Sequence, residues 1–185
     1  MTISQQYQQD LTNMHKRKSF GNRSKLPQQL KDVIEQYQIQ SILDFGCGKG
    51  NLVKTLREEY PNMKVYGYDP GNAEFSTLPA EVDLIYSTDV LEHIEPEFLS
   101  QTIADLSSRT SLMYHIIACH PAKKFLPDGR NAHLIIEPPL WWNKQLQNLK
   151  DYTILTESTK EWVATPKKGP TIDVVKYEVL LKRNA

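Results

Sequence analysis

Two periodicities divide the chain. Leu26, Leu30, Val33, Ile34 and Tyr37 recur at helical spacing, and Pro27 stands where a first turn tolerates it, so a helix is predicted over 26–38. Ile39, Ile42, Leu43 and Phe45 then form a short apolar run that predicts a buried strand. A helix-like stretch, 51–60, ends at Pro61, and 64–69 reads as a second strand. Further strands are expected over 82–87 and 111–119, around a helix over 96–108 that opens at Pro96 and buries Leu99, Ile103 and Leu106. A helix over 140–149 carries Trp141, Trp142, Leu146 and Leu149, with one tryptophan expected in the core and the other at a substrate pocket. Two final strands, 152–162 and 171–181, are joined by a turn at 166–170; Val175, Tyr177, Val179 and Leu181 share one face of the second. Strands alternating with helices predict an α/β fold with a doubly wound, mostly parallel sheet and an antiparallel C-terminal strand.

The first strand ends in an acid, Asp44, followed by glycines at every second position: Gly46, Gly48 and Gly50. Strand, glycine loop and helix open a βαβ unit in which the backbone turns sharply and a ligand approaches closely. Asn51 stands where the third glycine of a dinucleotide fingerprint would fall, which argues against an NAD-binding oxidoreductase. The second strand ends in Asp69, 19 residues after Gly50, where a ribose-binding carboxylate is expected.

These three features, with Asp89-Val-Leu-Glu-His93 after the strand at 82–87, resemble the class I S-adenosylmethionine-dependent methyltransferases. The resemblance implies a Rossmann-like fold over residues 26–185, with 1–25 as an N-terminal arm, and S-adenosyl-L-methionine as cofactor. It implies that the loop of Gly46, Cys47, Gly48 and Gly50 faces the methionine and ribose, and that Asp69 accepts the ribose hydroxyls. It implies that Asp44 supports the ammonium or the loop, and that Pro70, Thr88, Asp89 and Val90 line the cofactor. In related enzymes the segment before the first core helix closes over the cofactor, which makes 14–21 the lid candidate. The chain departs from the family after Asp69, where only eleven residues, 70–80, replace a helix and a third strand. That third-strand region is expected to be shortened or absent, leaving Asn72 and Phe75 as adenine candidates.

A length of 185 residues suits one domain, and 22 acidic against 22 basic residues give no global field to attract polyanions. No apolar run is long enough to span a membrane, and the first ten residues lack the pattern of a secretory signal. Cys47 and Cys119 read as reduced buried thiols, which suggests a cytoplasmic protein. The favoured function is methyl transfer to an O or N nucleophile of a small molecule. Basic pieces at 15–25, 123–130 and 167–168 keep an RNA or DNA methyltransferase as an alternative, and a binding or scaffold protein without turnover is another.

His93, His120 and His133 are the catalytic candidates, with Arg130 as a further substrate contact. His93 is either a general base, for which its ordinary pKa is suited, or a histidine bonded to backbone at a helix start. Glu92 and Asp89 are either site groups or helix caps. His115, mid-strand, is expected in the core. Glu92, His93, His120 and His133 match no metal-ligand spacing, so no metal is expected. Pro138-Pro139 follows the wrong strand for the amine-binding tetrad of DNA-base methyltransferases and is expected to start the next helix.

Overall fold

The computed structural model describes residues 3–16, 21–22, 24–165 and 171–184. Helix α1 spans Gln5–His15 and α2 Gln28–Gln36. Strand β1 (Ser41–Phe45) leads through the glycine loop into α3 (Asn51–Glu59) and then β2 (Lys64–Tyr68). Strand β3 (Leu84–Thr88), α4 (Pro96–Ser108), β4 (Leu112–Ala118) and α5 (Pro139–Gln147) follow. The chain closes with β5 (Tyr152–Ala164) and β6 (Ile172–Arg183).

The sheet order is β2-β1-β3-β4-β6-β5, so β2 and β5 form its two edges. Strands β1 to β4 pair in parallel, and β6 lies antiparallel between β4 and β5. Between β2 and β3 the described chain forms only a single 3-10 turn, Ala73–Phe75, so the shortened region leaves no strand outside β2.

Successive strand residues point to opposite faces, and both faces are covered. Leu43, Ile85, Met113 and Val179 pack with Leu99, Ile103 and Trp142 on the side of α4 and α5. Ile42, Leu84, Leu112 and Leu180 pack with Leu30, Ile34, Leu52 and Leu56 on the side of α2 and α3. His115 is core, as expected, its Nδ1 2.8 Å from Ser87 Oγ.

Two expectations need correction, at Trp141 and at the end of β5. Trp142 is fully buried, but Trp141 borders a groove beside Pro96 and Leu99 rather than the cleft at the strand ends. Val175, Tyr177, Val179 and Leu181 share one face of β6 as expected; the last three join the core, and Val175, near the start of the strand, is half-buried. Strand β5 runs to Ala164, past Trp162, with a bulge between Ile154 and Thr156. The turn expected at 166–170 lies outside the described residues.

Candidate functional site

Ligands of open parallel sheets sit outside the carboxyl ends of the strands, where the strand order reverses. Here that point lies between β1 and β3, and two cavities open there.

The first, about 330 Å³, is walled by Gly46, Cys47, Gly48, Asp69, Pro70, Thr88, Asp89 and Val90. Gly46 turns the chain at φ 78°, and a Cβ there would fall 2.4 Å from a Val90 methyl. The N–H groups of Gly46 and Cys47 donate to Tyr68 O at 2.7 and 3.0 Å, tying the loop to β2. Gly50 starts α3 at φ 72°, with its Cα face against the Phe75 ring. The Asp69 carboxylate accepts from Gly48 N at 3.0 Å and Gly71 N at 2.9 Å, and lies 3.1 Å from His15 Nε2.

Of the cofactor-binding candidates, only Asp44 and Gly50 stand back from this wall. Asp44 is buried within β1 and Gly50 is covered by Phe75. Asn72 Nδ2 donates to Gly48 O at 2.8 Å, so both adenine candidates brace the loop from outside the cavity. Thr88 Oγ1 and Tyr7 OH are buried without a hydrogen-bond partner among the described residues, and both residues face the cavity. A glycine cradle, an acid behind it and two orphaned hydroxyls fit a ligand with ribose and amino-acid parts.

Helix α1 roofs this cavity. Ser4 caps it, accepting from Tyr7 N at 3.2 Å, and is itself held by Glu95, which accepts from Ser4 N at 2.7 Å and Ser4 Oγ at 2.8 Å. Gln8 Nε2 donates to Pro70 O at 3.0 Å. Ile3, Tyr7 and Met14 pack against Leu126 and Ala132 of the loop after β4. Burial raises the Tyr7 phenol well above its ordinary pKa. Lys49 N donates to Gly21 O at 3.0 Å, so residue 21 seals the glycine loop; 17–20, the middle of the expected lid, lie outside the described residues.

The second cavity, also about 330 Å³, is bordered by Asp89, His93, His120, Lys123, Lys124, His133 and Lys176. Asp89 and His93 line both cavities. Asp89 sits in the left-handed region at φ 55°, and Lys176 Nζ grips its two oxygens at 2.6 and 2.8 Å. All three catalytic candidates gather here. His93 Nδ1 lies 2.6 Å from Ala132 O, His120 Nδ1 lies 3.0 Å from Val175 O, and His133 Nδ1 is bonded to His120 O. The T-shaped His93–His133 and His120–His133 ring pairs are 4.8 and 5.5 Å apart.

Burial, with His133 beside it, pushes the His93 pKa down to about 4, and burial also lowers that of His133. Burial and the nearby Asp89 raise Glu92 to about 8. Arg130 does not reach the cavity; its Nε pairs with Asp128 Oδ2 at 2.7 Å on the surface. Lys176, Glu95, Ser4 and Tyr7 were not singled out from sequence. Each acts through a partner 87 or more residues away or across a cavity, and no local pattern marks them.

A glycine-looped, doubly wound α/β sheet with a glycine-walled cavity at its switch point and a histidine-lined cavity beside it is the architecture of a class I, Rossmann-like methyltransferase. The chain belongs to the methyltransferase-domain family, whose model matches residues 7–142, and its methyl donor is S-adenosylmethionine. Among solved structures it is similar to an S-adenosylmethionine-dependent methyltransferase from Clostridium acetobutylicum, at 14% identity and TM-score 0.56, covering 84% of this chain and 89% of that one. It is similar to the mitomycin 7-O-methyltransferase MmcR, at 10% identity and TM-score 0.53, covering 95% and 53% respectively. It is also similar to the small RNA methyltransferase HEN1, at 13% identity and TM-score 0.56, covering 89% and 26%. No curated protein matches the chain. Among the described residues no helix is long and apolar enough to cross a membrane.

Proposed function

We propose that this enzyme methylates an oxygen or nitrogen nucleophile of a small molecule held in the second cavity. The observation that carries the reading is that the two cavities meet at Asp89 and His93, so a molecule in the second would lie next to a donor in the first across one shared wall. Bound in the first cavity, S-adenosylmethionine supplies an electrophilic methyl group on a sulfonium. Gly46, Cys47 and Gly48 cradle it, Asp69 receives the ribose hydroxyls, and Thr88 Oγ1 and Tyr7 OH gain the partners they lack. For Asp69 this means exchanging His15 for the ribose, so α1 moves as cofactor enters and recloses as a lid that excludes water.

On the acceptor side, backbone carbonyls fix the proton of His93 and His133 on Nδ1, because a carbonyl only accepts; for His120 the 3.0 Å contact with Val175 O outweighs a longer 3.4 Å one from Val175 N and favours the same tautomer. Nε2 of His93, His120 or His133 is then the lone pair that takes the acceptor's proton as the new bond to the methyl forms. Orientation supplies much of the rate. Lys123 and Lys124 at the rim favour an acceptor with an acidic group. The volume of this cavity, about 330 Å³, favours a small molecule over a polynucleotide. Free Cys47 and Cys119 fit a cytoplasmic location. Calorimetric titration with S-adenosylmethionine, S-adenosylhomocysteine and NAD tests the donor site, with binding of the first two and not of NAD expected. Screening acidic and neutral acceptors for S-adenosylhomocysteine release then tests the acceptor. Release seen only with RNA or DNA, with a steep salt dependence, would replace the small-molecule reading.

A further inference from the structure

At the shared wall of the two cavities the fold assembles a group that methyl transfer alone does not require. Glu92, His93 and His133 each offer one ligand atom, and the three atoms lie within 4.8 Å of one another. His133 Nε2 is 3.9 Å from Glu92 Oε1. The opposite nitrogen of each ring is fixed by a backbone carbonyl, Ala132 O for His93 and His120 O for His133. That arrangement leaves Nε2 as the lone pair of each neutral ring, and it is the support that metal-bound imidazoles take.

Glu92 is fully buried. Its Oε1 accepts from Ala118 N at 3.2 Å, while Oε2 has no partner among the described residues. Buried carboxylate and imidazole lone pairs that converge without donors between them are costly unless a proton or a cation shares them. Two neutral imidazoles and one carboxylate carry a single negative charge and leave coordination positions open on a divalent ion. Hard cations such as Mg²⁺ and Ca²⁺ take oxygen sets, whereas an N₂O set suits Zn²⁺, Mn²⁺, Fe²⁺ or Co²⁺. Metal–ligand bonds of about 2.0–2.2 Å would draw the three atoms inward by roughly 1 Å, within reach of side-chain adjustment.

We propose that Glu92, His93 and His133 form a site for one divalent first-row transition-metal cation whose open positions, bordering the second cavity, hold an oxygen of the methyl acceptor. The cation part stands on these three side chains, while its role rests on the reading of the second cavity as the acceptor site. With His93 and His133 engaged as ligands, His120 is left as the imidazole that takes the acceptor's proton. The sequence hides the site because Glu92 and His93 are adjacent and His133 lies forty residues on, a spacing outside the familiar ligand motifs.

The test is titration of the chelator-stripped full chain with Co²⁺, followed by visible absorption, and with Zn²⁺, Mn²⁺ and Mg²⁺ by calorimetry, all without cofactor. One Co²⁺ per chain is expected, with ligand-field bands, and Mg²⁺ should bind at least a hundredfold more weakly. Glu92→Gln and His133→Ala should each lower Co²⁺ affinity tenfold or more, while the surface change Asp128→Ala leaves it unaltered. Spin-echo spectra of the wild-type Mn²⁺ complex should show imidazole nitrogen coupling, a readout that needs no variant to fold. Absence of Co²⁺ binding, or binding that keeps its affinity in both folded variants, overturns the proposal, as does a Mn²⁺ complex without nitrogen coupling. A parallel titration with S-adenosylmethionine separates the two ideas. Cation without cofactor binding keeps the metal site and removes the methyl-transfer reading, and cofactor without cation binding does the reverse.

Discussion

The proposed donor half and the proposed acceptor half of this cleft are built in opposite ways. The donor wall comes from three short segments, 46–48, 69–70 and 88–90, each at the end of a strand. Its geometry is written in backbone: left-handed glycines, and two loop amides bonded to Tyr68 O. The acceptor half is assembled by contacts between distant residues, including Asp89 with Lys176, His93 with Ala132 and His120 with Val175. A site made of backbone tolerates side-chain change around it. A site made of long-range side-chain contacts can be rebuilt for another acceptor without disturbing the donor half.

The largest expected effect falls on both halves at once, through the sheet beneath them. Burial lowers the pKa of His115 from 6.5 to about 4, so between those values the unfolded chain binds the proton that the folded chain refuses. Stability therefore rises with pH across that window, and its His115 share, about 3 kcal/mol, is lost as pH falls from 6.5 toward 4. Chemical denaturation from pH 7 to pH 4 should show that slope, and a folded His115→Gln variant should flatten it.

Next, Asp69→Ala removes the acceptor shared by Gly48 N, Gly71 N and the ribose, and should weaken cofactor binding by about 1–3 kcal/mol. Calorimetry that finds unchanged affinity removes the ribose role. Lys176→Met should separate the halves most cleanly. Cofactor affinity should stay within a factor of about two, while turnover falls about tenfold, near 1.4 kcal/mol, as the ion pair between Lys176 and Asp89 is lost. Equal losses in both would mean that the two cavities are not separable. The smallest change is Ser4→Ala, which takes the cap and one Glu95 bond from α1 and should cost about 1 kcal/mol. Faster cofactor dissociation with little change in association is the expected signature of a loosened lid.

The same division explains what could be read in the sequence. Strand order, the glycine loop and the lost strand after β2 follow from local periodicity and from residues that turn the chain, so they were legible. So were the residues that wall the first cavity: 46–48 and 69–70 follow from spacing along one βαβ unit, and 88–90 from the end of the next strand. The polar network of the acceptor half was not. His93, His120 and His133 could be named one by one, but nothing in their spacing says that they meet, or that Glu92 is buried among them. Trp141 was misplaced for a related reason: periodicity shows which residues share a helix, but not which neighbour each one meets.

The two margins of the sheet carry a further consequence. With no strand outside β2 among the described residues, and with β5 on the far side, both sheet edges lack a neighbouring strand, an invitation to strand-to-strand aggregation between copies. Strand β2 limits the risk by being five residues long and starting at an exposed lysine, Lys64. Strand β5 is thirteen residues long and needs more. Glu157, Lys160 and Glu161 along it, and the kink of its bulge, keep a second copy from zipping on in register. The shortening that trims the donor side of this enzyme thus makes its colloidal behaviour depend on a few charged residues at the opposite border.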